Sequence, residues 1–279
     1  MAQVRQLLAA GADLPGESPR RDAEVLLGHV LGKSRAWLYT WPEQTVAAPL
    51  AAAFGELLTR RRSGVPVAYL TGRREFWSLS LQVSEATLIP RPETETLVEW
   101  ALQLPLPAEA AVLDLGTGSG ALAIALACER KAWRITAVDV SEAALAVAAF
   151  NVSRLCPGRV SLHHSDWFAA VAQRNFDLIV SNPPYVESDS EYLRRGDVAF
   201  EPRSALVAGS TGLDDIRQLV DRAPHFLRDG GWLLLEHGHR QAGAVRELMQ
   251  EAGFPSPQTR CDLAGHERVT GASTPSKSS

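Results

Sequence analysis

The sequence predicts an α/β protein in which a parallel β-sheet is covered by helices and follows a small helical domain. From about residue 108 onward, apolar strand-like segments alternate with helix-like segments, and a glycine-rich turn joins the first strand to its helix. This alternation is typical of a parallel sheet with helices on both faces. Residues 1 to about 72 instead carry apolar side chains at helical spacing, and we see no strand pattern there.

The N-terminal region is predicted to be a helical domain over residues 1–72. Leu7 and Leu8, the group from Ala23 to Leu31, and the run from Ala51 to Leu58 recur at helical spacing. Turn and capping residues between Asp13 and Ser18 separate the first two groups.

Residues 73–92 are predicted to form a hairpin linker. Apolar and polar residues alternate strictly from Leu79 to Ser84, which indicates a half-buried strand. The segment Leu88–Glu95 (LIPRPETE) follows, with two prolines that restrict its backbone. An acidic first helical turn starts at Glu93.

The sheet domain is predicted over residues 93–270. Its strands are AVLDL at 111–115, RITAVDV at 134–140, RVSLHH at 159–164, FDLIVS at 176–181 and WLLLEHG at 232–238. Its helices include ALAIALACER at 121–130, SEAALAVAAFNVSRL at 141–155 and RQAGAVRELMQEAG at 240–253. The last nine residues, 271–279, lack apolar content and are predicted to be disordered.

Composition narrows the function classes. A net charge of −4 and a pI near 6.0 argue against duplex DNA or long RNA as the main partner, because binding them favours a basic excess. Three cysteines without a C-x-x-C motif indicate reduced thiols. No apolar stretch is long enough for a signal peptide or a membrane span, so we expect a cytoplasmic protein without membrane contact. The paired histidines lack a plausible ligand set, so no metal is predicted.

The glycine loop, Gly116–Gly120 (GTGSG), lies where a buried strand meets a helix. Gly116, Gly118 and Gly120 allow a sharp turn and close approach to a ligand, and the following helix directs free N–H groups at an anionic group. Asp139 ends the next strand, nineteen residues after Gly120, where a carboxylate commonly binds ribose hydroxyls.

The form of this loop separates it from nicotinamide-binding loops. It reads G-x-G-x-G with Asp114 two residues ahead, which resembles the loop of Rossmann-like methyltransferases. In that resemblance, Asp114 and the loop residues, including Thr117 and the small Ser119, hold the methionine end of S-adenosylmethionine. A tight turn without a ligand is the structural alternative.

Asp166 and Trp167 follow the third strand. The same resemblance implies adenine contact here: the acid accepts from the exocyclic amine, and the indole forms an apolar wall. Taken alone, the pair fits a helix N-cap beside a core tryptophan, but after the glycine loop we favour adenine contact.

The reactive motif, Asn182-Pro183-Pro184-Tyr185, directly follows the strand FDLIVS. An amide or aromatic amine nitrogen is a poor nucleophile because its lone pair is delocalised. The Asn182 oxygen and the Pro183 carbonyl can each accept one N–H and so aim the lone pair at a methyl donor. Tyr185 can stack on the planar group, and catalysis is then mostly positioning and electrostatics. The alternative is a rigid turn, since Asn-Pro and Pro-Pro are turn formers.

Further segments make the resemblance specific. PVAYLTGRREFW at 66–77, LIPRPETE at 88–95, EPRSALVAGSTGLD at 201–214 and DLAGHERVTGA at 262–272 accompany the two motifs. Over nearly its whole length the chain resembles the release factor glutamine methyltransferase family. LIPRPETE, NPPY and EPRSAL in that order are highly specific together.

The resemblance implies a Rossmann-like seven-stranded methyltransferase sheet with a small all-helical, substrate-recognising N-terminal domain and a β-hairpin linker. It implies that S-adenosylmethionine is the cofactor, S-adenosylhomocysteine the product, and the glutamine of the Gly-Gly-Gln motif in bacterial peptide chain release factors the target. It places cofactor contacts at Gly116–Gly120, Asp139, Trp167 and Asn182, and glutamine contacts at Asn182–Tyr185. We expect a monomer with no direct nucleic-acid target.

Some features leave alternatives open. Glu201, Pro202 and Arg203 could shape the substrate mouth, or Glu201 and Arg203 could form a structural ion pair. Arg91 and Glu93 could close over the cofactor or cap the next helix, and we favour capping. A basic cluster in the linker region could be a solvated face, which we favour, or could meet an acidic surface or ribosomal RNA near a release factor. It consists of Arg60, Arg61, Arg62, Arg73 and Arg74.

The function also has alternatives at this point. A methyltransferase acting on adenine or cytosine amino nitrogens of nucleic acid would predict a base-flipping pocket and a basic groove. A non-catalytic scaffold that binds adenosylmethionine would predict a damaged reactive motif, whereas Asn182–Tyr185 is intact.

Overall fold

The computed structural model describes residues 2–276, and two units are distinguished by their internal contacts. The first comprises Met1–Arg73 together with Glu191–Phe200, and the second comprises Arg74–Ser190 and Glu201–Ser279. The sequence predicts one domain over residues 93–270, whereas Glu191–Phe200 groups with the helical residues by its internal contacts.

The first unit contains five α-helices around an apolar core. Phe54, Leu26 and Leu38 are among its buried side chains. Proline at the start of the second and fourth helices suits the first turn, where a backbone N–H has no helical partner. The helices are α1 Val4–Ala9, α2 Pro19–Leu31, α3 Arg35–Thr40, α4 Ala48–Arg62 and α5 Val67–Thr71.

The prediction of an all-helical domain needs one correction. Strands β1 (Ala2–Gln3) and β2 (Thr45–Val46) form a two-stranded antiparallel sheet within this unit. Each strand has two residues, which is too short to produce an alternating pattern in the sequence.

Arg61 links the segment Glu191–Phe200 to the helices of the first unit. Its guanidinium, only 8% exposed, contacts Asp22 at 2.9 Å and Asp197 at 2.8 Å. Phe200 packs against Gly64, where a Cβ atom would lie 2.8 Å from the ring. These contacts explain the grouping of the segment and correct the prediction that Arg61 belongs to a solvated face.

The predicted hairpin is present as β3 (Arg73–Phe76) and β4 (Leu79–Gln82). Its turn residues Trp77 and Ser78 both have positive φ, at 52° and 57°, the combination that matches the twist of paired strands. Trp77 is held there because its backbone N–H donates to Glu95 Oε1 at 2.8 Å and its indole N–H to Glu129 Oε1 at 2.7 Å.

The second unit is built on a seven-stranded sheet, in agreement with the predicted fold class. The strand order is β10-β11-β9-β8-β5-β6-β7. Strands β5 to β9 are parallel in their pairings, whereas β11 runs antiparallel to β9 and β10 antiparallel to β11. The strands are β5 Ala111–Leu115, β6 Arg134–Asp139, β7 Val160–His164, β8 Phe176–Ser181, β9 Leu227–Glu236, β10 Gln258–Cys261 and β11 Glu267–Ser273.

Helices cover both faces of this sheet. Val112 and Leu178 point to the face that packs on α6, α7 and α8, while Leu113 and Ile179 point to the opposite face. This alternation with period two explains why the strands are buried on both sides. The helices are α6 Glu95–Gln103, α7 Ala121–Glu129, α8 Glu142–Leu155, α9 Asp214–Arg222 and α10 Ala242–Glu251.

The predicted disordered tail is wrong for residues 271–274. Gly271 to Ser273 belong to β11, and the Thr274 N–H donates to the Gly231 carbonyl at 2.8 Å. A Cβ atom at Gly271 would lie 2.2 Å from the Leu234 side chain, so close packing demands a small residue where the sequence lacks apolar content. Residues 277–279 lie outside the described residues. Within residues 2–276, no helix is both long and apolar enough to cross a membrane.

Candidate active site

The glycine loop and the reactive motif meet at the point where the strand order of the sheet reverses. Strand β5 lies between β6 and β8: the chain runs outward from β5 to β6 and β7, and then returns to the other side of β5 as β8. Gly116–Gly120 follows β5, and Asn182–Tyr185 follows β8. The Ser181 hydroxyl donates to the Leu115 carbonyl at 2.7 Å and fixes the two strand ends together. Open α/β sheets bind ligands at such a crevice.

The glycine loop adopts a backbone that side chains disfavour. Gly116, Gly118 and Gly120 have φ values of +72°, +56° and +85°. A Cβ atom at Gly116 would approach Trp167 to 3.1 Å. The N–H groups of Gly116 and Thr117 both donate to the Val138 carbonyl at 2.9 Å, so the loop is anchored on the end of β6.

Asp139 holds the same loop with its carboxylate. Its Oδ2 accepts the Gly118 N–H at 2.8 Å, and its Oδ1 accepts the Ser141 N–H at 2.9 Å. The side chain is therefore fixed at the carboxyl end of β6 and borders the cavity beside the glycine loop.

Asp114 lies beneath the loop and is completely buried. Its Oδ2 accepts the Thr117 hydroxyl at 2.6 Å, whereas its Oδ1 has no hydrogen-bond partner among the described residues. Burial raises the pKa of Asp114 to about 7, although the hydrogen bonds from Thr117 and the Ala123 backbone oppose this rise.

Asp166 and Trp167 form a constrained turn after β7. Trp167 has a positive φ of 47°, and the Ser165 hydroxyl donates to its carbonyl at 2.8 Å. Asp215 lies in the first turn of α9. Burial raises its pKa, and a hydrogen bond from the Trp167 side chain opposes the rise.

Contacts from three directions hold the reactive motif. The Asn182 Nδ2 donates to the Thr94 hydroxyl at 3.2 Å. The Tyr185 N–H donates to the Leu206 carbonyl at 3.2 Å, and the Tyr185 carbonyl accepts from Gln241 Nε2 at 3.1 Å. The motif is thus rigid before any substrate arrives, as catalysis by positioning requires.

A cavity of about 280 Å³ joins most of the predicted site residues. The predicted residues that line it are Gly116, Thr117, Gly118, Ser119, Asp139, Asp166, Trp167, Asn182 and Pro184. Four predicted residues do not line it: Asp114, Gly120, Pro183 and Tyr185. Of these, Asp114 lies beneath the loop and Tyr185 turns its hydroxyl toward Glu236 at 3.2 Å.

The cavity also has walls that sequence reasoning did not assign. They include Thr87, Leu88, Pro90, Thr94, Ser165, Ser204, Ala205 and Asp215. Most of these residues lie in LIPRPETE and EPRSAL, two segments on which the family resemblance rests. Their occurrence together with the two motifs was the sequence signal that could have identified them. Asp215 directly follows EPRSALVAGSTGLD and had no chemical signal of its own.

The contacts of Glu201 and Arg203 exclude one of the two alternatives for these residues, an ion pair between them. Glu201 is 5% exposed, accepts the Ile89 N–H at 3.0 Å and pairs with the Arg91 guanidinium. Arg203 instead donates to the Ser188 carbonyl at 3.4 Å. Glu201 therefore joins the two walls of the cavity, and the Glu201–Arg203 ion pair does not form. Arg91 occupies the N-cap position of the short 3-10 helix Pro92–Thr94, where its carbonyl accepts the Thr94 N–H at 3.2 Å, while its side chain pairs with Glu201.

Two family models match the chain. The model described as PrmC N-terminal domain matches residues 2–72, and the model described as Methyltransferase small domain matches residues 94–196. The first match coincides with the helical part of the first unit, and the second contains the glycine loop and the reactive motif.

Solved structures show the fold. A methyltransferase from Pyrococcus furiosus superposes with a TM-score of 0.55 at 18% identity and covers 79% of this chain and 98% of its own. The hMettl16 catalytic domain, in complex with MAT2A 3′UTR hairpin 6, gives a TM-score of 0.58 at 17% identity, covering 83% and 84%. At these identities the likeness establishes the methyltransferase fold alone.

Much closer relatives share nearly the full length of the chain. The release factor glutamine methyltransferase of Pseudomonas aeruginosa is 53% identical over 253 residues, covering 91% of this chain and 92% of the relative. That of Vibrio cholerae is 49% identical over 270 residues, covering 96% and 93%. With a methyltransferase fold, an intact glycine loop and an intact reactive motif, the chain belongs to the release factor glutamine methyltransferase family.

Proposed function

We propose that the protein transfers a methyl group from S-adenosylmethionine to the side-chain amide nitrogen of the glutamine in the Gly-Gly-Gln motif of peptide chain release factors. This modification would modulate translation termination in the cytoplasm. One observation carries the proposal: the glycine loop and the motif residues Asn182 and Pro184 border a single cavity at the reversal point of the sheet.

The residues around the cavity fit this cofactor. The loop amides and the amino end of α7 suit the methionine carboxylate, and Asp139 suits the ribose hydroxyls. Trp167 and Asp166 suit adenine as an apolar wall and an acceptor. The buried Asp114 oxygen without a partner lies beneath this end of the cavity and suits a positively charged neighbour.

Asn182 and Pro183 would hold the substrate amide. Because Asn182 Nδ2 donates to Thr94, its Oδ1 is the end that accepts an N–H from glutamine. The Pro183 carbonyl accepts the second N–H, and the two prolines keep that carbonyl in a fixed direction. Tyr185 packs against the planar group, and the cofactor supplies an electrophilic methyl group on sulfur.

No general base on the protein is required. A methylated amide nitrogen is strongly acidic while it carries an extra proton, so water accepts that proton. The chain contributes a fixed geometry, exclusion of water by walls such as Leu88 and Pro184, and two acceptors that polarise the N–H bonds.

The helical N-terminal unit is proposed to recognise the release factor. Its match to a family model over residues 2–72 supports this role, because that model accompanies the methyltransferase domain in the same chain. Recognition by a separate unit would leave the catalytic cavity free to receive only the glutamine side chain.

The proposal is tested by mixing the purified protein with S-adenosylmethionine and a purified bacterial release factor, and locating added methyl groups by peptide mass spectrometry. We expect one methyl group on the Gly-Gly-Gln glutamine, and none when Asn182→Ala replaces the wild type. A release factor with glutamate in place of that glutamine is the matched control, because glutamate has no amide nitrogen.

The variant must also be shown to fold and to bind the cofactor, by thermal melting and calorimetric titration. Transfer to adenine or cytosine in nucleic acid, with none to the release factor, would contradict the proposal and favour an amino-nitrogen methyltransferase of nucleic acid.

A further inference from the structure

Glu236 is a buried carboxyl group for which the proposed reaction has no use. It is the last residue of β9 and is 1% exposed. Since Ser181 of β8 pairs with Leu235 of β9, Glu236 lies beside the residue that follows Ser181, which is Asn182. A carboxyl group therefore lies behind the reactive motif, at the carboxyl end of the adjacent strand.

Glu236 contacts both sides of the reactive motif. Its Oε1 accepts the Tyr185 hydroxyl at 3.2 Å. The Thr94 hydroxyl lies near enough to this carboxyl group to lower its pKa. Thr94 in turn accepts the Asn182 Nδ2 at 3.2 Å. Glu236 thus contacts Tyr185 directly and lies near the hydroxyl group that Asn182 contacts.

This arrangement is unfavourable for stability alone. The second carboxyl oxygen, Oε2, is buried and has no hydrogen-bond partner among the described residues. A buried polar atom without a partner is costly, and an apolar side chain of similar size would pack there without that cost. A structural role therefore does not explain why a carboxyl group occupies this position.

We propose that Glu236 is a positioning residue for methyl transfer, which fixes Tyr185 and, through Thr94, Asn182 in the orientation that receives the substrate amide. The inference rests on the proposed function. Gln241 supports it, because its Nε2 donates to the Tyr185 carbonyl at 3.1 Å while its Oε1 accepts the Gly238 N–H at 2.8 Å. The segment from Glu236 to Gln241 thus holds Tyr185 at its hydroxyl and at its carbonyl.

Several neighbouring groups shift the pKa of Glu236 and so determine its charge state. Burial raises its pKa to about 7, the hydroxyl groups of Thr94 and Tyr185 and the charge of Arg268 oppose the rise, and Glu93 adds to it. Arg268 precedes Val269, the β11 residue that pairs with Glu236 of β9. The Arg268 guanidinium forms an ion pair with Asp262 at 2.9 Å.

The next residue along β9, His237, is also buried. It contacts the Thr270 hydroxyl at 2.8 Å, and burial lowers its pKa. The ionised form of Glu236 has no proton of its own to donate and accepts from both hydroxyl groups. We therefore expect the rate to rise with pH as this carboxyl group loses its proton.

The test compares Glu236→Gln with the wild type in the release factor reaction between pH 6 and 8.5. We expect kcat to fall about tenfold, as loss of a hydrogen bond that positions a reacting group implies. The Kd for S-adenosylmethionine should change less than about twofold, and the inflection of the rate near pH 7 should disappear. Tyr185→Phe removes the same contact from the other side, so the double variant should lose no more than the worse single variant.

Asp177→Asn is the matched control. Asp177 is a buried carboxylate at the opposite end of β8, where it accepts the Ala111 N–H at 2.7 Å and pairs with Arg228. This change should lower the melting temperature and leave kcat and its pH profile as in the wild type.

A Glu236→Gln variant that keeps the wild-type kcat and pH inflection would overturn the inference. So would a loss of rate that matches a loss of folded protein or of cofactor affinity, with the pH inflection retained. Absence of transfer by the wild type itself would instead overturn the proposed function, and the inference with it.

Discussion

Arg91 and Glu201, 110 residues apart in the sequence, form an ion pair that joins two walls of the cavity. Glu201 also accepts the Ile89 N–H at 3.0 Å, so it holds both the side chain and the backbone of the opposite wall. Pro90 stands on one wall and Pro202 on the other. The two prolines are thereby kept at a fixed separation at the mouth of the cavity.

Breaking this pair should loosen the mouth. Glu201→Gln removes the negative charge beside Arg91, whose side chain is 25% exposed, and we expect a loss of about 1–3 kcal/mol in the free energy of unfolding. The double variant Arg91→Met/Glu201→Leu should recover part of that loss, because it leaves no unpaired charge. Urea unfolding measures both values.

The control for the mouth is the exposed pair Arg246–Glu267, whose side chains are 36% and 45% exposed. Glu267→Gln should change the free energy of unfolding by less than about 1 kcal/mol, since water screens such pairs. Equal losses for the two glutamate variants would contradict a special role for Glu201.

Gly116→Ala should weaken cofactor binding more than it weakens the fold. A side chain at φ +72° costs about 1–2 kcal/mol, and the new Cβ atom would also approach Trp167 to 3.1 Å. Gly158→Ala is the matched control, because its φ is +71° and nothing lies within 4 Å of the added atom. Similar melting temperatures with a lower affinity for S-adenosylmethionine in Gly116→Ala alone is the expected result.

Asp139→Asn should lower the affinity for S-adenosylmethionine by about 10- to 100-fold. Both carboxylate oxygens accept a backbone N–H, from Gly118 and Ser141, and an amide can offer an acceptor to only one of them. Calorimetric titration measures the effect. Asp189→Asn, at an exposed loop carboxylate, should bind the cofactor as the wild type does, and an equal loss in both would exclude a specific role.

Asp114 should make the protein less stable as pH rises. Its pKa in the folded state is about 7, against an ordinary value of 3.8, because burial disfavours the charged form. Between these values the folded chain holds more protons than the unfolded chain, so stability falls by up to about 1.4 kcal/mol per pH unit. Asp114→Asn should flatten this fall between pH 5 and 7 and raise the melting temperature at pH 8.

Asp262 provides a control of opposite sign. Burial opposes the change, but hydrogen bonds from Arg268 and from the backbone of His266 and Ala264 lower its pKa. Its contribution to stability is therefore present above its ordinary pKa and is lost as pH falls. Asp262→Asn should destabilise the protein at neutral pH, in contrast to Asp114→Asn.

The elements that could be predicted from the sequence are those whose burial follows a simple pattern. Ala111–Leu115 and Phe176–Ser181 are fully buried apolar strands, and the motifs at their ends needed no tertiary information to be placed at one sheet edge. Strands β10 and β11 escaped prediction because their residues are mixed and small: Gly271 is required by Leu234, a contact visible only in three dimensions.

The unpredicted parts of the site depend on strand order. Glu236 lay in a segment assigned as a strand, and only the pairing of β8 with β9 places it beside Tyr185. Asp215 likewise belongs to the site only because the fold places it with Trp167 in the lining of the cavity. A period in the sequence reports which face a residue occupies, whereas these contacts depend on which strands are neighbours.

Asn151 of α8 forms hydrogen bonds with strand β4 of the hairpin, and these bonds affect folding more than chemistry. Its Oδ1 accepts the Gln82 N–H at 2.7 Å, and its Nδ2 donates to the carbonyls of Gln82 and Ser119, both at 2.9 Å. The Asn151 amide thus supplies the Gln82 backbone with the donor and the acceptor that one residue of a third strand would supply. A two-stranded ribbon is marginal alone in water. Here its outer edge is closed to pairing with other chains, and its order is tied to the loop that carries Ser119.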